Sequence, residues 1–236
     1  MKLFNLRALD NFFVNTAKEF QTQAQFSTVM KPFLAMLTDE DEDLTKVGEL
    51  STALVNTRAF ELAAQHLKSE PASATLIEER YLAPPHDLNF LLKYPKESLG
   101  YIYASTMKKQ KFDPDLYSYL KVDSDASYVE ARLSQTHDIW HTITGFDSSG
   151  IGEIGLQAFH LPQFPYPLAT MLIANSLVSA TLLAPEELPK LLNAIARGWQ
   201  MGTQVKSFFN QKWEEAWEKP LKQWRSELNV QSITVS

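Results

Sequence analysis

The sequence predicts an all-α protein, built as a single-domain helical bundle. Its 236 residues include only 8 glycines, and its long apolar segments repeat with the period of an amphipathic helix. No segment sustains the alternation of apolar and polar residues that is typical of a half-buried strand. The length and the 44% hydrophobic content suffice for one sizeable core, and no change of composition divides the chain. We therefore expect one helical domain over residues 1–236.

The helical period and its interruptions predict the order of the elements. Prolines set several boundaries: Pro84-Pro85 and Pro114 interrupt the pattern, and Pro220 is expected to end or kink the last long helix. Asp87, beside His86, is expected to lie near a helix N-cap. Helices are predicted at residues 8–37, 43–68, 71–81, 88–93, 96–109, 113–119, 124–144, 151–160, 166–182 and 186–218.

One long stretch of the chain is uncharged. Residues 154–185 contain no Asp, Glu, Lys or Arg, and the core of this stretch is YPLATMLIANSLVSATLLA. It is compatible with a helix buried on all sides, with a helix that lines an apolar tunnel or lies against a bilayer, and with a membrane span. Asn175, the flanking prolines and the lack of positive flanks argue against a span, so we expect a buried helix.

Three tryptophans near the C-terminus, Trp213, Trp217 and Trp224, repeat at spacings of four and seven residues. Such an aromatic stripe is typical of core packing or of an oligomer contact, with a lipid interface as the alternative. The surplus of apolar and aromatic residues leads us to expect a homo-oligomer.

Charge and cysteine content exclude several classes of function. The formal net charge of −6 argues against general nucleic-acid binding and against a purely electrostatic anchor to anionic lipid. Cysteine is absent, which excludes disulfides, a thiolate nucleophile and a Cys-ligated metal cluster.

The residues that point to chemistry are His137, Asp138, His141 and Glu153. On a helix, residues four apart lie on the same face, so the two histidines point the same way, and Asp138 reaches the same centre from the side. A loop rich in glycine and serine follows, and Glu153 enters near the start of the next helix. The histidines lie on the apolar stripe of their helix, which predicts a site that is buried or lines a cleft.

This set of side chains is typical of the ligands of a divalent metal ion. Imidazole nitrogen and carboxylate oxygen suit zinc, iron or manganese, and a site rich in carboxylates also admits magnesium. The sequence does not distinguish these ions. The alternative is a helix with two histidines that serve only structure, but two acids converging on the same apolar face favour a metal.

The string His137-Asp138-x-x-His141, followed after eleven residues by Glu153, resembles the signature of the coenzyme Q (ubiquinone) biosynthesis protein four family. An upstream segment resembles the family's Leu-Gly-x-x-Tyr core, and the C-terminal segment resembles its last helix. The resemblance covers residues from about 95 to 229. The matching positions outside the signature are Leu99, Gly100, Tyr103, Gly198, Trp213, Glu214, Trp217, Pro220, Leu221, Arg225 and Leu228.

The resemblance implies a metal-dependent protein of ubiquinone or prenyl-quinone biosynthesis that binds a polyprenylated benzenoid ring. The implied activity is oxidative decarboxylation at ring carbon one, in which a hydroxyl group replaces a carboxylate. The long prenyl tail would need an apolar cavity beside the metal site. The implied metal ligands are the four residues of the signature. Arg132 lies near them and is a candidate for pairing with the substrate carboxylate, but we expect it to be a surface arginine. No other catalytic residue is identified.

Two other functions remain open. A non-catalytic prenyl-lipid-binding or scaffold protein would use the metal only to hold an anionic head group, while it organises other quinone-biosynthesis proteins. A phosphohydrolase of the His-Asp superfamily would need an upstream histidine, for which His66 or His86 would serve, and a downstream metal-binding aspartate. The chain has no aspartate after Glu153, which argues against the phosphohydrolase.

The N-terminal segment mixes acidic and basic residues and has neither the apolar core of a secretory signal nor the composition of a transit peptide. Eukaryotic members of the family are mitochondrial. The sequence predicts a cytoplasmic protein, with peripheral contact at the inner face of the membrane as a further expectation.

Overall fold

The computed structural model describes residues 23–37, 44–116 and 120–232. These residues form α-helices and two short 3-10 helices, and no β-strand occurs among them, as the sequence predicts. The 3-10 helices are Pro185–Glu187 and Trp213–Ala216. The α-helices are α1 (Gln23–Met36), α2 (Leu44–Val55), α3 (Arg58–Lys68), α4 (Pro71–Glu79), α5 (Leu88–Leu91), α6 (Leu99–Gln110), α7 (Asp125–Thr144), α8 (Gly150–Gln163), α9 (Pro167–Leu183), α10 (Leu188–Gln204) and α11 (Leu221–Glu227).

Three of the predicted helix boundaries are wrong. The helix predicted at 43–68 is two helices, because Thr57 has an extended backbone and its side chain caps the N-terminus of α3. The helix predicted at 186–218 ends at Gln204, well before Pro220. Residues 113–116 form turns instead of the predicted helix, whereas 8–22 and 117–119 lie outside the described residues. The prediction for Asp87 is confirmed, since its carboxylate accepts hydrogen bonds from the first turn of α5.

The long helix α7 lies at the centre of the fold. It packs against α2, α3, α4, α6, α8 and α11, and thirteen of its residues are buried, including Trp140 and Tyr128. A capping box at its N-terminus, formed by Ser124 and Ser127, fixes where it begins. Because so many neighbours hold α7, the side chains on its face towards α8 have fixed positions.

Helix α8 is held on its other side by α10. Gly198 of α10 lies so close to the backbone of α8 that a Cβ atom there would be 2.0 Å from the carbonyl oxygen of Gly155. Glycine at this position therefore permits the two helix axes to approach closely. The consequence for function is that α10 sets how deeply α8 sits against α7.

The C-terminal segment closes the bundle over α6 and α7. The backbone amide groups of Leu99 and Gly100 donate hydrogen bonds to the carbonyl oxygens of Lys219 and Trp217, each at 2.9 Å. The segments that resemble the family upstream and downstream are therefore in contact. The stripe of tryptophans is part of the core, as expected: exposure is 0% for Trp213, 9% for Trp217 and 5% for Trp224.

The uncharged stretch forms most of α8, from Ile154 onward, and all of α9. The first half of α9 is mostly buried, with Leu168, Ala169 and Leu172 in the core, but Thr170 is exposed, so the helix is not buried on all sides as expected. Its C-terminal end is different, because Leu182 is 73% and Leu183 is 71% exposed. None of the helices in the described part of the chain combines the length and the apolar character needed to cross a membrane.

Candidate metal centre

The two imidazoles of the candidate site lie on the last two turns of α7, and the carboxylate lies on the first turn of α8. Helix α7 ends at Gly145, which adopts a positive φ of 85° that favours glycine, and its amide donates to the carbonyl oxygen of His141. Ser149 then caps α8 and places Glu153 in the first turn. This short connection reverses the direction of the chain, so that α8 packs against the face of α7 that carries the two histidines.

The three side chains meet at one point. The Nε2 atoms of His137 and His141 are 3.1 Å apart. The two carboxylate oxygens of Glu153 lie 3.2 Å from Nε2 of His137 and 3.0 Å from Nε2 of His141. The side chain of Glu153 is 36% exposed, against 27% for His137 and 11% for His141, so the site opens to solvent beside the carboxylate.

The orientation of His141 is fixed by the loop that follows α7. Its Nδ1 atom lies 2.9 Å from the carbonyl oxygen of Phe146, which can only accept a hydrogen bond. Nδ1 therefore carries a proton and donates it, and Nε2 is left as the atom that faces the other two side chains. A backbone carbonyl on the far nitrogen is the usual support of a histidine that binds a metal.

The site favours positive charge. Burial lowers the pKa of His137, but the carboxylates of Glu153, Asp138 and Glu130 together outweigh burial and raise that pKa to about 9. Burial raises the pKa of Glu153, and the two imidazoles outweigh it, so that the pKa lies well below its usual range. Without a metal ion, a proton on His137 balances the ionised carboxylate, and a bound cation would take the place of that proton.

The spacing of the donor atoms fits a small divalent cation. Atoms bound at about 2.1 Å from one ion are about 3.0 Å apart at right angles and about 3.4 Å apart in a tetrahedron. The observed separations lie within this interval: 3.1 Å between the imidazoles, and 3.2 and 3.0 Å from them to the two different oxygens of Glu153. The same distances also suit direct hydrogen bonds between these groups. Two imidazoles with one carboxylate form a ligand set that leaves positions for water or substrate.

Asp138 is the one predicted ligand that the structure does not bring to this point. Among the described residues, the donor atoms within 4.8 Å of one another come from His137, His141 and Glu153, and the Asp138 carboxylate is not in this group. Its charge nevertheless contributes to raising the pKa of His137. Residues that are adjacent on a helix point about 100° apart, which explains why Asp138 faces a different direction.

Arg132 is buried, with 1% exposure, so the interpretation as a surface arginine is wrong. Its guanidinium donates two hydrogen bonds to the Glu214 carboxylate, at 2.6 and 2.9 Å, and a third to the carbonyl oxygen of Gln211 at 2.8 Å. This bidentate pair fastens the C-terminal segment to α7. The substrate-binding role proposed for Arg132 would require it to exchange these partners.

Glu130 and the polar residues around it lie near the candidate metal centre, and the sequence did not identify them as part of it. Glu130 is fully enclosed, and its carboxylate accepts hydrogen bonds from Ser51 and, at 2.7 Å, from the hydroxyl group of Tyr166. Burial raises the pKa of Glu130 despite these donors and the nearby His137. Glu130 precedes His137 by seven residues, which puts both on one face of α7, and this spacing was the available signal.

His160 of α8 stacks on Trp140 of α7, with ring centroids 4.5 Å apart and 17° between the planes. Burial, together with the nearby charge of His137, lowers the pKa of His160 to about 3, so this imidazole is neutral. His160 is a structural histidine that packs at the α7–α8 interface, which is the usual role of a lone histidine, and it is not a ligand.

The apolar cavity expected beside the metal site is a prediction that the structure leaves open. An open groove of about 980 Å³ lies elsewhere, between α1 and α2, and its lining includes Pro32, Leu44, Ala53 and Leu116. Neither α7 nor α8 contributes to that lining.

Comparisons with known proteins agree on one family. The family model described as coenzyme Q (ubiquinone) biosynthesis protein Coq4 matches residues 15–234, which extends the resemblance into the N-terminal third. The chain is 28% identical over 194 residues to the mitochondrial ubiquinone biosynthesis protein COQ4 of Coccidioides immitis, covering 78% of this chain and 67% of that protein. It is 22% identical over 241 residues to the mitochondrial COQ4 homologue of Aedes aegypti, covering 94% and 87%.

A solved structure has the same fold and a related sequence. A crystal structure at 2.85 Å resolution of a Nostoc punctiforme protein, assigned to ubiquinone biosynthesis, superimposes with a TM-score of 0.80 at 33% identity. The match covers 87% of this chain and 98% of the Nostoc chain. With the family model matched over nearly the whole length, the chain belongs to the coenzyme Q (ubiquinone) biosynthesis protein Coq4 family.

Proposed function

We propose that this chain acts in quinone biosynthesis as a metal-dependent protein that binds a polyprenylated benzenoid precursor and supports oxidative decarboxylation at ring carbon one. In this reaction the ring carboxylate leaves as carbon dioxide and a hydroxyl group takes its place. Dioxygen is the oxidant: one oxygen atom enters the hydroxyl group, and the other is reduced to water by two electrons and two protons from an external reductant. The observation that carries the proposal is the meeting of His137, His141 and Glu153 in a partly exposed cluster, in a chain of this family.

The cluster has the chemistry that such a substrate needs. A divalent cation would supply a Lewis acid for the carboxylate and hydroxyl oxygens of the ring. His137, His141 and Glu153 would hold the ion, with Asp138 proposed as a fourth ligand after a change of its side-chain rotamer. The carbonyl oxygen of Phe146 keeps His141 in the tautomer that presents Nε2 to the ion.

The opening of the site suits an approaching head group. Glu153, the most exposed of the three ligands, marks the side from which the ring would enter. The prenyl tail would lie against apolar surface, since each Å² of apolar area removed from water contributes about 25 cal/mol. The tail-binding surface, peripheral membrane contact and a homo-oligomeric state are parts of the proposal that need their own measurements.

Complementation tests this function. We expect the wild-type gene to restore quinone production in a strain that lacks its own family member, and Glu153→Lys to fail because a cation is placed among the ligands. Glu186→Lys, which changes an exposed glutamate in the same way, should restore production and is the matched control. Extracts of the Glu153→Lys strain should accumulate a prenylated ring that retains its carboxylate. Full rescue by Glu153→Lys would reject the proposed site.

A second candidate is a non-catalytic binding or scaffold role among quinone-biosynthesis proteins. It is favoured by the exposed apolar side chains at the end of α9 and on α10, which include Leu182, Leu183, Leu192 and Trp199. Exposed apolar side chains that lie together are typical of a surface that contacts a protein or a membrane. Mass spectrometry of an organic extract, combined with turnover assays under several metals and oxygen, separates the candidates. A bound prenyl lipid without any turnover would favour the scaffold.

A further inference from the structure

Gln157 is a buried amide on the face of α8 that carries Glu153. It follows Glu153 by four residues and precedes His160 by three, so the three side chains form one row along the helix. The opposite face of α8 is occupied by α10, which contacts Gly155 and Ala158. Gln157 therefore faces the α7 side of the interface, one helical turn from the carboxylate of the metal cluster.

The amide oxygen of Gln157 has no hydrogen-bond partner among the residues that the structure describes, although the side chain is buried. The residue is 5% exposed. An unpaired buried polar group lowers stability, and most native structures avoid it. A group that is kept at such a cost in a position next to a metal cluster points to a ligand that pairs with it.

The exposed fraction decreases from Glu153 through Gln157 to His160 along α8. The side chain of Glu153 is 36% exposed, whereas Gln157 is 5% and His160 is 2% exposed. A ring that enters beside Glu153 and reaches the cluster with one oxygen would meet Gln157 next. The stacked pair of His160 and Trp140 closes the interface behind it.

The chemistry of the amide selects one kind of substituent. The oxygen substituents of a benzenoid ring are of two kinds: carboxylate and ether oxygens only accept hydrogen bonds, whereas hydroxyl groups both donate and accept. Only a hydroxyl group satisfies the Gln157 amide whichever way the amide is turned. We infer that Gln157 is a specificity-determining residue that hydrogen-bonds a ring hydroxyl of the substrate. This inference rests on the proposed function, because it requires a hydroxylated ring at the cluster.

The test uses two head-group probes on the full-length protein loaded with zinc. Calorimetry measures the dissociation constants of 4-hydroxybenzoate and of benzoate, which lacks the hydroxyl group. We expect the wild type to prefer 4-hydroxybenzoate about tenfold, and Gln157→Leu to reduce this preference to about twofold or less. Gln200→Leu, at an exposed position of α10, should keep the wild-type preference.

The thermal stability of the metal-free proteins provides a second measurement. Leucine removes an unpaired polar group at similar volume, so Gln157→Leu should melt at a temperature equal to or above that of the wild type. A lower melting temperature would show that the amide is paired in the free protein, by a buried water, and would overturn the inference.

The outcomes separate the inference from the proposed function. If the wild type prefers 4-hydroxybenzoate and Gln157→Leu prefers it equally, the inference is wrong and the proposed function stands. If the zinc-loaded wild type binds neither probe, the proposed function loses its head-group site and the inference is rejected with it.

Discussion

The buried ion pair between Arg132 and Glu214 gives the sharpest prediction about stability. Exposure of the two side chains is 1% and 5%, and the pair joins α7 to the C-terminal segment. Removing one partner of a buried pair leaves an uncompensated charge and costs about 3–5 kcal/mol. We expect Arg132→Met, which retains the apolar stem, to lower the free energy of unfolding by about this amount.

The pH dependence of unfolding gives a second magnitude, which belongs to Glu214 together with both of its neighbours, His86 and Arg132. Burial raises the pKa of Glu214, but His86 and Arg132 outweigh burial and lower it from 4.5 to about 2. This difference corresponds to about 3 kcal/mol of stability, at about 1.4 kcal/mol for each tenfold change in proton affinity. Because the folded-state pKa is depressed, the stability is complete above pH 4.5 and is lost as the pH falls towards 2.

Urea denaturation followed by circular dichroism, at pH 7 and through the acidic range, measures both effects. Glu214→Gln should flatten the loss of stability between pH 4.5 and 2. Arg58→Met removes an arginine from an exposed pair with Glu61 and serves as the control, with an expected change of at most about 1 kcal/mol. A loss below about 1 kcal/mol for Arg132→Met would contradict the structural role and return Arg132 to the substrate-binding candidates.

Three further predictions concern the supports of the metal centre. Gly198→Ala should lower the unfolding free energy by about 1–3 kcal/mol, measured by denaturation, and should weaken zinc binding, because the added Cβ pushes α8 outward. Gly150→Ala is the control: a Cβ there meets open space, so the same assay should find it neutral or stabilising. Arg225→Met should cost about 1–3 kcal/mol, since its guanidinium donates to two carbonyl oxygens at the end of α7, whereas the exposed Arg197→Met should change little. Asp138→Asn should weaken zinc binding by about tenfold in calorimetry, and an unchanged dissociation constant would remove it from the proposed ligands.

Several features of the fold could be predicted from the sequence because they depend on local chemistry. Helical periodicity and scarce glycine predict the all-α class, and the spacing of His137 and His141 predicts that they share a face. The loop with Gly145 predicts that the chain turns back. The position of Glu153 against the histidines follows from these local features, and the structure brings the three together.

Other features depend on contacts between segments that are distant in the sequence, and the local periodicity cannot predict such contacts. The end of α10 at Gln204 was missed, because residues 205–212 retain an apolar pattern although the chain turns there to reach α7. The burial of Arg132 depends on Glu214, 82 residues away. The buried Gln157 was missed for a similar reason, since the sequence gives no sign of which polar side chains lack a partner.

Metal content is the most direct test of the central claim, which is that two turns of α7 and the first turn of α8 hold one divalent cation. Purified protein, incubated with zinc and dialysed, is analysed by inductively coupled plasma mass spectrometry, with circular dichroism to verify folding. We expect about one zinc ion per chain for the wild type and for His66→Ala, an exposed histidine far from the cluster in sequence, and almost none for the His137→Ala/His141→Ala double variant. Full zinc occupancy in a folded double variant would contradict the account.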